Sequence, residues 1–251
     1  MRGKQMRNFK IILQYEGTRY QGWQRQVSTG NTIQGKLEIL LGKMTGTDFV
    51  QVNGSGRTDA GVHALGQAAS FQLETDMEPQ EIMRYMNRYL PEDIKVIDIC
   101  EMPERFHGRL NAKKKTYVYR IWNSPVPCVF ERRYVYELEE KLDSSAMRQA
   151  AALLTGKHDF RAFTSTKKGK KSTVRTIEDI TIEQKGNELV LTYKGDGFLY
   201  HMVRIMTGTL IEVGLHERDV RSVQTLLDKG TREMSGTLVP AKGLCLVSVE
   251  Y

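Results

Sequence analysis

The sequence predicts an α+β fold of two similar split-βαβ halves, whose strands form a largely antiparallel sheet with helices on one face. Short apolar runs of strand length alternate with segments of helical period along the chain. The order strand, helix, strand, strand, helix, strand fills the first hundred residues and is loosely repeated afterwards. In addition, LLGKMTGTDF (40–49) is echoed by LLTGKHDF (153–160), as expected of two related halves.

The first strand is FKIILQYEG (9–17), an apolar run that ends at a turn, and the aromatic and cationic loop TRYQGWQRQ follows it. TIQGKLEILLGKMTG (32–46) places Ile33, Leu37, Leu40, Leu41 and Met44 at helical spacing, with Gly46 as the stop. FVQV (49–52) and GQAASFQL (66–73) read as strands on either side of the glycine-rich loop NGSGRTDAGVHA. Pro79 opens a second helix that runs to about Tyr89, with Ile82, Met83, Met86 and Leu90 on one side. VIDICE (96–101) is the next strand, and periodicity is lost near 103–112, which puts the halves at 1–105 and 106–251.

The second half begins with strand KTYVYRIW (115–122) and continues with helix SSAMRQAAALLTG (144–156), capped by Asp143 or Ser144. Strands near 177–183 and 188–194, a helix from about 198 to 213 and a last strand, LCLVSVEY, complete it.

With 40% hydrophobic and 27% charged residues and six prolines in 251, the composition is that of a folded protein of one large domain or two ordinary ones. No run of 18 apolar residues occurs and MRGKQMRNFK has no apolar signal core, so the expected compartment is the cytoplasm. Cys100, Cys128 and Cys245 lack any CxxC spacing, and the five histidines form no HxH or HxxxH pair, so neither a disulfide framework nor a metal site is expected. A net charge of +7 favours phosphate-rich partners, although a merely soluble basic protein has the same balance. An open sheet face of that charge makes a cleft suited to RNA.

The glycine-rich loop is not a dinucleotide cradle, because the third glycine of GxGxxG would have to stand at Asp59 and a strand follows. Two readings of Asp59 stay open: an Asx-type turn residue, or a carboxylate that must remain ionised when a substrate covers it. The second needs a cation within about 4–6 Å, since burial raises a carboxylate's pKa and a cation lowers it. Arg57 and Arg204 are the candidates. Arg204 stands in GDGFLYHMVRIMTGTLIEVG among Phe198, Met202, Ile205, Met206 and Ile211, either paired or with its head reaching water. Tyr117 and Tyr119 share a strand face, as core residues or as a platform for a base. In RAFTSTKKGKKSTVRT (161–176), Lys167, Lys168, Lys170 and Lys171 make either a solvated loop or a phosphate-gripping arm.

Taken in order, YEGTRYQGWQRQ, GSGRTDAGVHALGQAASF, KTYVYRI, LTGKHDF, VRTI and GFLYHMVRIMTG resemble the tRNA pseudouridine synthase A (TruA) family over nearly the whole chain. The resemblance implies RRM- or ferredoxin-like halves and a cofactor-free isomerase that converts uridine to pseudouridine at positions 38, 39 and 40 of the tRNA anticodon stem-loop. It also implies a homodimer with a tRNA spanning both subunits. By the same resemblance Asp59 matches the nucleophile, Tyr117 the active-site tyrosine against the uracil ring, and Arg204 the cation paired with the aspartate. Arg57 and the YQGWQRQ loop, with Trp23, Gln24 and Arg25, match positions near the flipped nucleotide and its phosphates. His63 joins that set as a loop-packing residue, and the lysine-dense 167–171 loop is where the chain departs from the commonest pattern. A binding module without turnover and a small-molecule enzyme are the rival readings. A carboxylate that repels phosphate argues against the first, and steep salt dependence would separate the second.

Overall fold

The computed structural model describes residues 5–166 and 172–251. In chain order its elements are β1 (Met6–Tyr15), α1 (Ile33–Thr45), β2 (Val52–Gly54), β3 (His63–Glu74), α2 (Pro79–Tyr89), β4 (Ile94–Met102), β5 (Lys114–Asn123) and β6 (Tyr136–Leu138). They continue as α3 (Ser144–Leu154), β7 (Gly156–Asp159), β8 (Val174–Lys185), β9 (Glu188–Gly195), α4 (Met202–Gly214), α5 (Ser222–Lys229) and β10 (Leu244–Glu250). They assemble into two compact units, the first running to Lys113 and taking in Leu246–Tyr251, the second comprising Lys114–Cys245.

In the first unit the strand order is β4-β1-β3-β10, with β2 beside β3. β1 is antiparallel to both β3 and β4, and its alternation sends Phe9, Ile11, Leu13 and Tyr15 to one buried face. Ile33, Leu37 and Leu41 of α1 and Ile82 and Met86 of α2 complete that core, and α2 packs on β4 and α1. Each helix is bounded by the chemistry of its ends. The Thr32 hydroxyl accepts from Gly35 N–H at 3.2 Å to start α1, and Gly46 ends it at φ 76°. Pro79 occupies the first turn of α2, where its missing N–H costs nothing, and Glu81 Oε2 accepts from Glu78 N–H at 2.8 Å.

In the second unit the order is β5-β9-β8-β7, antiparallel throughout, with β6 parallel beside β5. Tyr117, Tyr119 and Ile121 of β5 lie on the same buried face as Leu189, Leu191 and Tyr193 of β9. That face meets α4, since the Tyr193 and Thr207 hydroxyls are hydrogen-bonded at 2.8 Å. Asp143 is the cap of α3, accepting from Ser145 and Ala146 N–H at 2.9 and 3.0 Å. α4 is buried on all sides except at Arg204 and Glu212, as a helix apolar all round must be. It begins at Met202 rather than near 198, because His201 adopts a left-handed conformation (φ 64°) that breaks helical continuity ahead of it.

Candidate active site

The loop between β2 and β3 is fixed from beneath and from one side. Ser55 is buried and donates to Gln67 Oε1 at 2.7 Å, while Gln67 Nε2 donates to the Gly56 carbonyl at 3.0 Å. The Thr58 hydroxyl is buried against the Tyr15 hydroxyl at 2.8 Å. Asp59 then opens a tight turn, closed by Val62 N–H to the Asp59 carbonyl at 3.2 Å, with Gly61 at the positive φ (79°) that a type II turn requires. The loop therefore buries Thr58 while leaving Asp59 half-buried and Arg57 exposed.

The side support comes from the aromatic loop after β1. Trp23 N–H donates to the Thr58 carbonyl at 3.0 Å, and Gly61 N–H donates to the Tyr20 carbonyl at 3.3 Å. Gly22 stands between them at φ 88°, and a Cβ there would lie 2.7 Å from the Thr58 carbonyl oxygen and 3.1 Å from Asp59 C. The glycine of YQGW lets the two backbones touch at the aspartate.

That supporting loop is itself tied down by Asp93. Tyr20 donates its hydroxyl to Asp93 Oδ1 at 2.6 Å, and Arg19 donates to Oδ2 at 3.0 and 2.6 Å. Burial pushes the Asp93 pKa up, but the bonds from Tyr20 and Arg19 outweigh it and hold the carboxyl below the usual carboxylate range. Since the folded value lies below the unfolded one, near 4, the stabilisation is present above that pH and lost as pH falls through the folded value. Asp93→Asn is expected to destabilise the protein by about 1 kcal/mol at pH 7. In urea titrations the gap between the two proteins should close as pH drops below about 4. A gap that stayed constant down to pH 3 would contradict the ionised tether.

Trp23 is buried in the first unit, its indole so close to Gly54 that no Cβ would fit, and its ring lies 6.3 Å from that of Tyr15. Gln24 donates to Gln34 Oε1 at 2.7 Å. Arg25 pairs with Glu38 at 3.1 Å and stacks over the Phe49 ring at 4.6 Å. His63 is buried, and its Nδ1 accepts from Gly17 N–H at 3.0 Å. With Nδ1 as acceptor, a neutral imidazole carries its proton on Nε2, so the 3.5 Å approach of Glu16 to Nδ1 is no hydrogen bond in that form.

In the second unit Tyr117 is 6% exposed, and its ring meets Phe198 edge-on at 5.2 Å between centroids. Two residues on, Tyr119 donates to the Pro240 carbonyl at 2.7 Å. Burial pushes the Tyr119 phenol above its usual range, and the Arg204 charge nearby opposes that shift. Arg204 is half-buried, and its Nε donates to the Val239 carbonyl at 2.8 Å, which fixes the plane of the guanidinium. Val239 is held over α4 by the preceding segment, where Gly236 N–H donates to Thr209 Oγ1 at 3.0 Å and Thr237 N–H to Glu212 Oε1 at 2.9 Å. Gly208 and Thr209 of the MTGT stretch give that segment room to lie on the helix.

The structure thus gathers Asp59, Arg57, Trp23 and His63 around one loop of the first unit, and places Tyr117 and Arg204 on β5 and α4 of the second. Lys167, Lys168, Lys170 and Lys171 lie outside the described residues. Of the supports, Tyr15, Tyr20 and Gln67 stand inside the quoted motifs without a signal of their supporting role, and Asp93 and the Val239 anchor of Arg204 lie outside any motif. Chemically, the first unit presents a carboxylate from a locked backbone, and the second an oriented guanidinium beside a tyrosine-rich strand.

Residues 11–110 and 150–251 match the family described as tRNA pseudouridine synthase. The tRNA pseudouridine synthase A of Bacillus sp. (strain KSM-64) is 47% identical over 246 residues, covering 98% of this chain and 100% of that protein. The tRNA pseudouridine synthase A 1 of Clostridium tetani is 46% identical over the same shares of both chains. The tRNA pseudouridine synthase A 2 of Bacillus anthracis is 40% identical, again over 98% and 100%. Among the described residues no helix is long and apolar enough to cross a membrane. With four-fifths of its length matched and such relatives aligned from end to end, the chain belongs to the tRNA pseudouridine synthase family of isomerases, which convert uridine to pseudouridine in tRNA.

Proposed function

We propose that the chain forms pseudouridine at positions 38, 39 and 40 of the tRNA anticodon stem-loop, in the cytoplasm and as a homodimer with the tRNA spanning both subunits. The target uridine leaves its helix at a cost of a few kcal/mol in lost stacking, offset by phosphate contacts and a fitted pocket. Asp59 attacks the nucleotide or assists departure of the base. The C1′–N1 bond breaks, the uracil turns, and C5 bonds to C1′. The C5 proton is lost and N1 gains one, so no redox partner is consumed. Arg204 serves as the charged partner of the Asp59 carboxylate, and Tyr117 orients the ring and lies near the C5 proton. Arg57 and the lysines of 167–171 grip the nucleotide's surroundings, with Trp23, Gln24, Arg25 and His63 supporting the same loop.

The observation that supports this reading best is the aspartate loop itself, in which Thr58 and Gly61 are hydrogen-bonded to the neighbouring loop and to Tyr15, so that the backbone on both sides of the half-buried Asp59 is fixed. So much fixed backbone around one carboxylate suits chemistry better than a surface turn. Pseudouridines are to be mapped in tRNA from cells lacking this chain. Positions 38, 39 and 40 should revert to uridine, and wild type, but not Asp59→Ala, should restore them. Unchanged modification at those positions would overturn the assignment.

A further inference from the structure

Gln34 and Glu38 stand one turn apart on a face of α1 otherwise made of Ile33, Leu37 and Leu41, and both are buried, Glu38 to 3% exposure. A carboxylate in such surroundings is costly unless its oxygens are satisfied. Here they are. Glu38 Oε1 accepts from Gln34 Nε2 at 2.9 Å and from Val52 N–H at 3.1 Å, and Oε2 accepts from Arg25 Nη1 at 3.1 Å. Gln34 Nε2 also donates to the Val52 carbonyl at 2.9 Å, and its Oε1 accepts from Gln24 Nε2 at 2.7 Å and from Arg25 N–H at 2.9 Å.

Among the described residues, the partners fall in two segments. One is Gln24–Arg25, directly after the Gly22–Trp23 backbone that rests on Thr58 and Asp59. The other is Val52, whose N–H and carbonyl are both taken by this pair and whose strand leads into the Asp59 loop. Simple burial would be served as well by apolar side chains of the same volume. A polar pair that binds backbone on both sides adds a fixed distance between the two walls of the loop.

We propose that Gln34 and Glu38 are positioning residues for the reaction, a clamp that sets the spacing of the two segments between which Asp59 is presented to the uridine. The proposal rests on Asp59 as the reacting carboxylate. It is tested by single-turnover pseudouridine formation on a saturating tRNA transcript, with Glu38→Gln, Glu38→Ala and Asp59→Ala measured side by side, together with tRNA Kd.

Glu38→Gln keeps acceptors for Val52 N–H and Gln34 and loses the charge facing Arg25, so its rate constant should fall about 3- to 10-fold, and that of Glu38→Ala about 100-fold. Reaction amplitude should stay full and Kd within about twofold, because RNA-facing groups are untouched. A merely structural role would lower the amplitude and leave the rate constant of the folded molecules at the wild-type value, which would overturn the proposal. A rise in Kd that accounts for the whole loss would overturn it too. If Glu38→Ala does not fold, Glu38→Gln decides. Turnover by Asp59→Ala would instead sink the reading of Asp59, whereas wild-type rate constants in both Glu38 variants beside an inactive Asp59→Ala sink the clamp alone.

Discussion

Asp59→Asn is expected to lower the rate of pseudouridine formation on the order of 10⁴-fold or more, with tRNA binding retained. Asparagine has nearly the shape of aspartate and tolerates turns, so the backbone bonds from Val62, Trp23 and Gly61 should survive the exchange. What disappears is the negative oxygen. Both versions of the first step, attack on the nucleotide or assistance to the leaving base, need that oxygen, and an amide supplies neither. Binding should be unchanged or slightly tighter, because a carboxylate repels the phosphates that the basic surface attracts. Filter binding and rapid-quench assays on one transcript separate the two quantities. A variant that binds normally and turns over within tenfold of wild type would remove Asp59 from the chemistry.

Gly208→Val is expected to destabilise the second unit by about 2–3 kcal/mol. In an ordinary exposed helix the exchange of glycine for a residue with a side chain is favourable or neutral. Here a Cβ at Gly208 would overlap the Thr237 carbonyl, and Gly236 packs with equal closeness on Thr209. The 235–239 segment would have to lift off α4. Val239, whose carbonyl orients Arg204, lies at its end, so turnover should fall even in conditions where the variant remains folded. Denaturant unfolding with single-turnover assays below the transition measures both effects. Wild-type stability would show that the segment adapts to the added bulk.

Much of the fold was legible because its signals are local. Pro79 and the apolar positions Ile82 and Met86 marked α2 at its observed bounds, and Asp143 proved to be the cap of α3. Both Leu-Leu helix ends in the echoed segments are followed by a glycine at positive φ, Gly46 and Gly156. FVQV (49–52) misled. Residues 49–51 have strand-forming side chains, yet Val50 N–H donates to the Glu38 carbonyl of α1, and β2 begins only at Val52. A donor taken by a helix cannot join a ladder. β7 (Gly156–Asp159) is polar, β6 has three residues, and α5 has only Val223, Leu226 and Leu227 on its buried side, so none offered a period to detect. The return of residues 246–251 to the first unit is a non-local pairing that no window of sequence contains.

A similar division holds for the candidate site. Asp59, Tyr117 and Arg204 stand in compact motifs and could be singled out as candidates from residues alone, their proposed roles coming from the family resemblance. The groups that hold them could not. Thr58 is bonded to Tyr15, Tyr20 to Asp93 and Arg204 to Val239, each pair far apart in the chain and each made of residue types common elsewhere in it. Arg25 illustrates the cost of reading charge without partners. Its guanidinium, expected near phosphates, is paired with buried Glu38 and stacked on Phe49.

The central claim is that the Asp59 carboxylate and the Arg204 guanidinium act as a pair, and a double-mutant cycle on single-turnover rates tests it most directly. Asp59→Glu and Arg204→Lys both keep their charge and should leave measurable turnover while changing the reach and shape of each side chain. The account predicts strong coupling: the double variant should depart from the product of the single effects by about fivefold or more, equivalent to about 1 kcal/mol. Independent, multiplicative effects would show that the two side chains do not work on each other, and would contradict the account.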